Sequence, residues 1–397
     1  MTTKKQNIAI IGGGSSALFF ASKINTSKYN VNLYEQNSTL GRKFLVAGKG
    51  GFNLTHSEDI KLIISRYTPQ QFLTKALSRY SNEYLINWFK SIGINMFIGS
   101  SKRVYPSAGT KPIQVLKAIE NLINSNHVKL NFNHKWIGWK NNQLIFENLK
   151  CVKADIVVFS MGGGSWSVTG SNRNWLKIFK EKGIETIPFY PSNCAYNIIW
   201  DTSFIEVFEG EPLKNIAIKC KDQIQKGEIV LTKFGIEGNA IYALSPQIRK
   251  ELNLHQSSEI SIDFKPMLTL QNLLDKYINS NQKSITQILL RDLKLSRPQI
   301  GLLKTFLSKD KFTNPKCLVN AIKSFKLTIV GVSPLDKAIS TVGGVTLHSV
   351  DENFQLKQLP NHYCIGEMLD WDAPTGGYLL QACYSMGNYL AEYLNQK

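Results

Sequence analysis

Four consecutive apolar residues, Ile8-Ala9-Ile10-Ile11, show no polar alternation and predict a short strand buried on both faces, as in a parallel sheet. The segment GGGSSALFFASKI after it reads as a tight turn entering a helix, and NVNLYEQ (30–36) as a second strand reaching Glu35. Together they make a βαβ unit of the expected ~30 residues. Residues 57–125 predict mainly helix, because TPQQFLTKALSRY, SNEYLINWFKSIG and TKPIQVLKAIENLINSN repeat apolar positions every three or four residues. Ser81 and Pro112 mark helix starts. VKLNFN, KWIGWK and QLIFEN predict strands, and ADIVVFSMGGGS (154–165) is another buried strand running into glycines.

The period changes near residue 190. CAYNIIW, IAIKCK, GEIVLTKFGIEG and EISIDFKP are short strands between turn signals, which predicts an antiparallel sheet or small barrel. Residues 267–326 return to helix, with Pro266, Pro298 and Pro315 at boundaries. GGVTL and HYCIGE are strand-like again, and the chain closes on a helix within YLLQACYSMG.

A length of 397 residues exceeds one simple core and predicts two or three domains, and 43% hydrophobic with 19% charged residues describes a globular chain. The net charge of +18 invites a nucleic-acid or anionic-membrane reading. No block of five or six consecutive basic residues supports it, so the charge reads as a Lys-biased solvated surface that still favours anionic ligands. Six widely spaced cysteines form no CxxC pair, which argues against a disulfide framework or a zinc site and for a reducing, cytoplasmic setting. Three glycines interrupt the N-terminal apolar run, so it reads as structure and not as a signal peptide. Elsewhere no stretch approaches 18 apolar residues, and no membrane span is expected.

The chemistry lies in the glycines. Gly12-Gly13-Gly14-Ser15-Ser16-Ala17 fits G-x-G-x-x-G/A between a buried strand and a helix. Gly12 would permit the turn, Gly14 would let backbone approach a pyrophosphate, and Ala17 would allow helix and strand to pack closely. The helix N-terminus would offer N–H groups and partial positive charge to the phosphates. Glu35, with Gln36 beside it, would accept hydrogen bonds from an adenosine ribose and disfavour a 2′-phosphate. NAD and FAD both satisfy this signature. GRKFLVAGKGGFNLTHSE (41–58) favours a flat, extended ligand: Arg42 and Lys43 could neutralise its diphosphate, Gly48 would bring backbone close, and Asn53 and Thr55 could meet ring or ribityl groups. In VVFSMGGGS, Met161, Gly162 and Gly163 would carry backbone across the same ligand.

With RVYPSAGTK, SMGGGSWSVTGS, LTKFGIEGNAI and GEMLDWDAPTGGYLLQACYSMG, these motifs make the chain similar, over nearly its whole length, to the bacterial aminoacetone-oxidase-like or BaiN-like NAD(P)/FAD-dependent oxidoreductases. The resemblance implies an α/β fold: a Rossmann-like FAD-binding domain with a parallel central sheet, interrupted by an inserted β-rich, barrel-like domain carrying a helical subdomain. The corresponding boundaries are 1–190, 191–334 (191–266 β-rich, 267–330 helical) and 335–397. It implies tightly but non-covalently bound FAD, NAD(P)H as a transient donor or O2 as partner, and a small-molecule substrate. Gly366 and Glu367 would meet the ribityl chain. Gly376, Gly377 and Tyr378 would bring a helix N-terminus to the flavin edge, where its dipole favours negative charge. No side chain declares itself an acid or base. His56, Tyr105 and Tyr378 are the candidates, local hydrogen bonding or packing being the commoner fate of each, and Cys383 reads as core.

Overall fold

The apolar run near the N-terminus does become a central strand. In this computed structural model, which describes residues 5–46, 52–171 and 173–397, β1 (Gln6–Ile11) is followed by α1 (Ser15–Lys23) and β2 (Tyr29–Tyr34). Helix α2 (Pro112–Ser125) leads to β3 (Lys129–Asn131), and Ile156–Phe159 forms β4. His362–Cys364 supplies β5, and the long helix α3 (Tyr378–Gln396) closes the chain. The five strands form one parallel sheet in the order β5-β4-β1-β2-β3. Ile8, Ala9, Ile10 and Ile11 are all buried, as an unbroken apolar strand between two covered faces must be.

Helix α1 is buried from Ser16 through Ala21 and packs along α3. Their close approach depends on Gly387, where a Cβ would lie 2.6 Å from the carbonyl oxygen of Ser16. Ser81 caps its helix by accepting the N–H of Tyr84, and Pro112 stands in the first turn of α2.

Two units result, Met1–Pro191 with Leu335–Lys397, and Ser192–Pro334. In the second, six antiparallel strands close into a barrel, and helices from Leu270–Ile278 to Pro315–Lys323 pack on one another.

Residues 57–125 are mainly helical, as expected, with helices at Ile60–Ser65, Thr74–Arg79, Asn82–Ser91 and α2, but they also hold short strands. Met96–Ile98 and Arg103–Pro106 pair within this stretch, and Arg103–Pro106 also pairs with Thr55–His56 just before it, in a small antiparallel sheet. Strands of two to four residues are too short to display a period, so the helical spacing of their neighbours hid them. The β-rich region likewise holds the helix Ser245–His255, and the sixth barrel strand, Phe325–Val332, emerges where helix was expected to end.

Candidate active site

A cavity of about 410 Å³ opens at the C-terminal ends of β1, β2 and β4, walled entirely by the first unit. The chain leaves β1 toward β2 on one side and later fills β4 on the other, so β1 is the switch point of the sheet. Ligands of doubly wound sheets bind in that crevice.

The turn after β1 shapes one wall. Gly12 has φ +96°, and a Cβ on it would stand 2.5 Å from the carbonyl oxygen of Ser160. Both facts demand glycine. Gly14 differs: its φ is an ordinary −80°, and a Cβ there would find only the Ser160 carbonyl oxygen, at 3.8 Å. Gly14 is also the N-cap of α1, with no side-chain cap and no acid in the first turn. The cavity wall thus contains an open, uncapped helix N-terminus, where an anion is favoured.

Glu35 is 8% exposed. Its Oε2 accepts the N–H of Gly13 at 2.7 Å, while Oε1 accepts the Asn37 N–H at 2.8 Å and Asn37 Nδ2 at 2.6 Å. A carboxylate has about four lone-pair sites, so Oε2 retains capacity for one further donor. Arg42 donates to Asn37 Oδ1 at 2.6 Å and to the Val168 carbonyl, which places it beside the Glu35 cluster as a brace of the loop. Lys43 pairs with Glu367 at 3.3 Å and donates to Ser165 Oγ at 3.1 Å. Glu367 also accepts the Thr341 N–H at 3.0 Å.

The wall brings together Gly12, Gly14, Ser15, Ser16, Glu35, Gln36, Arg42, Lys43, Asn53, Met161, Gly162, Gly366 and Glu367. Gly48 lies outside the described residues. Ala17 is core, and Thr55 is buried with its hydroxyl donating to Gln381 Oε1 at 2.7 Å. At Gly163 a Cβ would meet Thr341 Oγ1 at 2.3 Å, so that glycine serves packing behind the wall.

Gly376, Gly377 and Tyr378 are not wall residues either. A Cβ on Gly377 would lie 2.5 Å from the backbone of Thr55, and Gly376 faces the Arg103 guanidinium. The bare backbone at the mouth of α3 therefore admits the strand Thr55–His56. The Tyr378 ring stacks on His56 with centroids 5.2 Å apart, and its hydroxyl donates to Glu58 Oε2 at 2.8 Å. Arg66 donates to Glu58 Oε1 at 2.7 Å, so the three side chains form one ionic knot. Burial raises the Tyr378 phenol well above its usual range and keeps it protonated. Tyr105 stacks on Phe97, away from the wall.

Several wall residues were missed: Asn37, the segment His134–Ile137, Thr169–Ser171, Trp371 and Cys383. Asn37 was legible as the turn residue ending β2. The others reach the cavity only through tertiary packing. Burial pushes the Cys383 thiol up to about 12, so it faces the cavity as a neutral SH.

Burial also lowers the His56 pKa, opposed by Glu58. Its Nδ1 accepts the Glu58 N–H at 3.2 Å, which leaves the ring neutral with its proton on Nε2. Because the fold disfavours protonation, this contribution is complete above the ordinary histidine pKa of ~6.5 and lost as pH falls below it. The melting temperature should therefore drop between about pH 6.5 and 5, and His56→Gln should flatten part of that slope. His362, lowered by burial in the same way, supplies another part. An unchanged slope in the variant would contradict the assignment.

A dinucleotide fits this wall: the helix N-terminus offers phosphate donors, Gly14 leaves the approach open, and Glu35 keeps an acceptor at the end of β2. Residues 6–393 match the model of the HI0933-like protein Rossmann domain. The chain belongs to that family. Two relatives span it end to end. The 3-dehydro-bile acid delta(4,6)-reductase of Clostridium scindens is 24% identical, and the ribosomal RNA dihydrouridine synthase of Haemophilus influenzae is also 24% identical, each alignment covering 97% of both chains. Among solved structures, the 3-ketosteroid-delta4-(5alpha)-dehydrogenase of Rhodococcus jostii aligns over 98% of this chain and 97% of its own, with a TM-score of 0.50 and 12% identity, and shares the fold. The HI0933-like chain is an enzyme of the FAD-dependent oxidoreductase class, with a Rossmann-type FAD-binding domain and an inserted barrel. Among its described residues, no helix is long and apolar enough to cross a membrane.

Proposed function

We propose that this enzyme uses FAD and NAD(P)H to reduce a carbon–carbon double bond conjugated to a carbonyl, with uridine in RNA as its substrate. The observation that carries the cofactor reading is the uncapped N-terminus of α1 behind the open Gly14, set beside the buried Glu35. Bound there, FAD would supply the two-electron chemistry. The first-turn N–H groups of α1 would hold the diphosphate, and the free lone pair of Glu35 Oε2 would take a ribose hydroxyl. Lys43, held between Glu367 and Ser165, would balance charge along the wall without adding a net one.

The substrate reading rests on the chemistry that the two relatives' names share. Forming dihydrouridine and reducing a dehydro-bile acid both saturate an alkene polarised by a neighbouring carbonyl. A net charge of +18 favours the polyanionic substrate over the lipid-like one. A small conjugated ketone is the second reading, supported by the equal similarity to the bile acid reductase.

The test is to reduce the flavoprotein anaerobically with NADH or NADPH, then add either an oligouridylate or a 3-keto-Δ4 steroid. The expected result is bleaching by a nicotinamide, reoxidation by the RNA, and loss of uracil absorbance near 260 nm. Reoxidation by the steroid alone would transfer the assignment to the second reading. A reduced flavin that neither substrate reoxidises would refute both.

A further inference from the structure

Charge in the second unit is segregated. Residues 192–264, which supply five of the six barrel strands, hold 10 acidic and 7 basic residues, whereas the helical stretch 265–326 holds 12 basic and 3 acidic ones. A chain-wide preference for lysine would raise both parts alike, so composition alone does not explain the difference. The helices of the basic stretch pack on one another through Leu273, Leu302, Leu303, Leu318 and Ile322, which turns their charged residues outward. Three of the basic groups have partners: Lys323 is paired with Asp263 at 2.6 Å, Lys326 with Glu259 at 2.8 Å, and Lys265 donates to the Lys294 carbonyl. The side chains of Lys283, Lys294, Arg297 and Lys304 are exposed, and none pairs with a carboxylate among the described residues. Exposed like charges left unneutralised cost self-repulsion, which an anionic polymer would relieve by releasing its counterions.

We propose that this basic helical subdomain, residues 265–326, docks the phosphate backbone of RNA. The inference rests on the RNA reading above and adds to it the surface that grips the polymer. Contacts of this kind are electrostatic and insensitive to sequence, so the subdomain would set affinity and leave the choice of nucleotide to the active site.

The test uses the full-length FAD-loaded protein and a 40-nucleotide oligouridylate, with affinity measured from 50 to 300 mM salt. Replacing Lys283, Lys294, Arg297 and Lys304 together by alanine should make the slope of log K against log salt shallower by about 3, at ~0.7 per single-strand phosphate. At 0.15 M salt the same relation predicts a loss on the order of 100-fold. A companion variant with arginine at the three lysine positions should bind like the parent. Flavin absorbance should stay unchanged in both, and the melting temperature should not fall in either, because the four side chains are exposed. Equal affinity and slope in the alanine variant would overturn the docking role, while leaving the substrate reading intact if the parent still binds and reduces RNA. A parent that binds anionic phosphatidylserine vesicles but not RNA would overturn both.

Discussion

Replacing Gly14 by aspartate should leave the apoprotein folded and at least as stable, yet lower FAD affinity by at least 100-fold. Gly14 has φ −80° and ψ 179°, the extended conformation of an N-cap, and space where a Cβ would stand. An aspartate there would cap α1 with its own carboxylate, worth a few tenths of a kcal/mol over glycine. That carboxylate would occupy the N–H groups offered to the diphosphate and add a negative charge in front of them. Losing one or two charge-assisted hydrogen bonds, each about 1.5–3 kcal/mol, is sufficient for the expected drop. Flavin content after purification, FAD titration of the apoprotein and its melting curve together decide the matter. A variant that retains FAD with parental affinity would show that the diphosphate does not lie at α1. Gly12→Ala offers the contrast, because its Cβ would collide with the Ser160 carbonyl and lower stability as well.

The second large effect is expected at Gly377. Alanine there must adopt φ +103° and put its Cβ 2.5 Å from the Thr55 backbone. Left-handed strain and overpacking each cost about 1–3 kcal/mol, so a loss of about 3 kcal/mol is expected. For a unit of this size that lowers the melting temperature by roughly 5–10 °C. The damage should spread from the mouth of α3 into the knot of Glu58, Arg66 and Tyr378, because the displaced strand carries His56, which stacks on Tyr378. Differential scanning calorimetry with and without saturating FAD measures the loss. A melting temperature within 1–2 °C of the parent would mean that the contact with Thr55 is not tight in solution. Tyr378→Phe removes the hydroxyl that binds Glu58 while keeping the ring, and should cost about 1.5–3 kcal/mol, the range of a hydrogen bond to a charged group.

The βαβ unit and the antiparallel strands of the second unit could be read from the chain because their cues are local, whereas closure of those strands into a barrel could not be told from an open sheet. An unbroken apolar strand, glycines at a fixed spacing and an acid at the next strand end are all separated by short stretches of sequence. Each glycine's reason was less accessible. Gly12 and Gly377 both have positive φ, but one faces the carbonyl of Ser160, about 150 positions away, and the other faces Thr55, more than 300 positions away. Spacing gave no hint of either partner. Glu367 and Lys43 were each singled out, whereas their pairing at 3.3 Å was not. His134–Ile137 reached the cavity unannounced, because KWIGWK predicts a strand but not which sheet edge that strand meets.

While the resemblance implied that the β-rich unit is an insertion, sequence by itself determined the glycine-rich turn after β1, the acid at the end of β2, the buried parallel strands and the change to short antiparallel strands near residue 190. These depend on backbone conformation and hydrophobic period, which neighbouring residues dictate. Only the tertiary structure decided which glycines face the cavity and which face another segment of the chain. A missing side chain marks a close approach, but the approaching partner is named only when distant segments pack. For the same reason the fold placed Gly14 before open space, removed Gly376, Gly377 and Tyr378 from the cavity wall, and brought Cys383 to it.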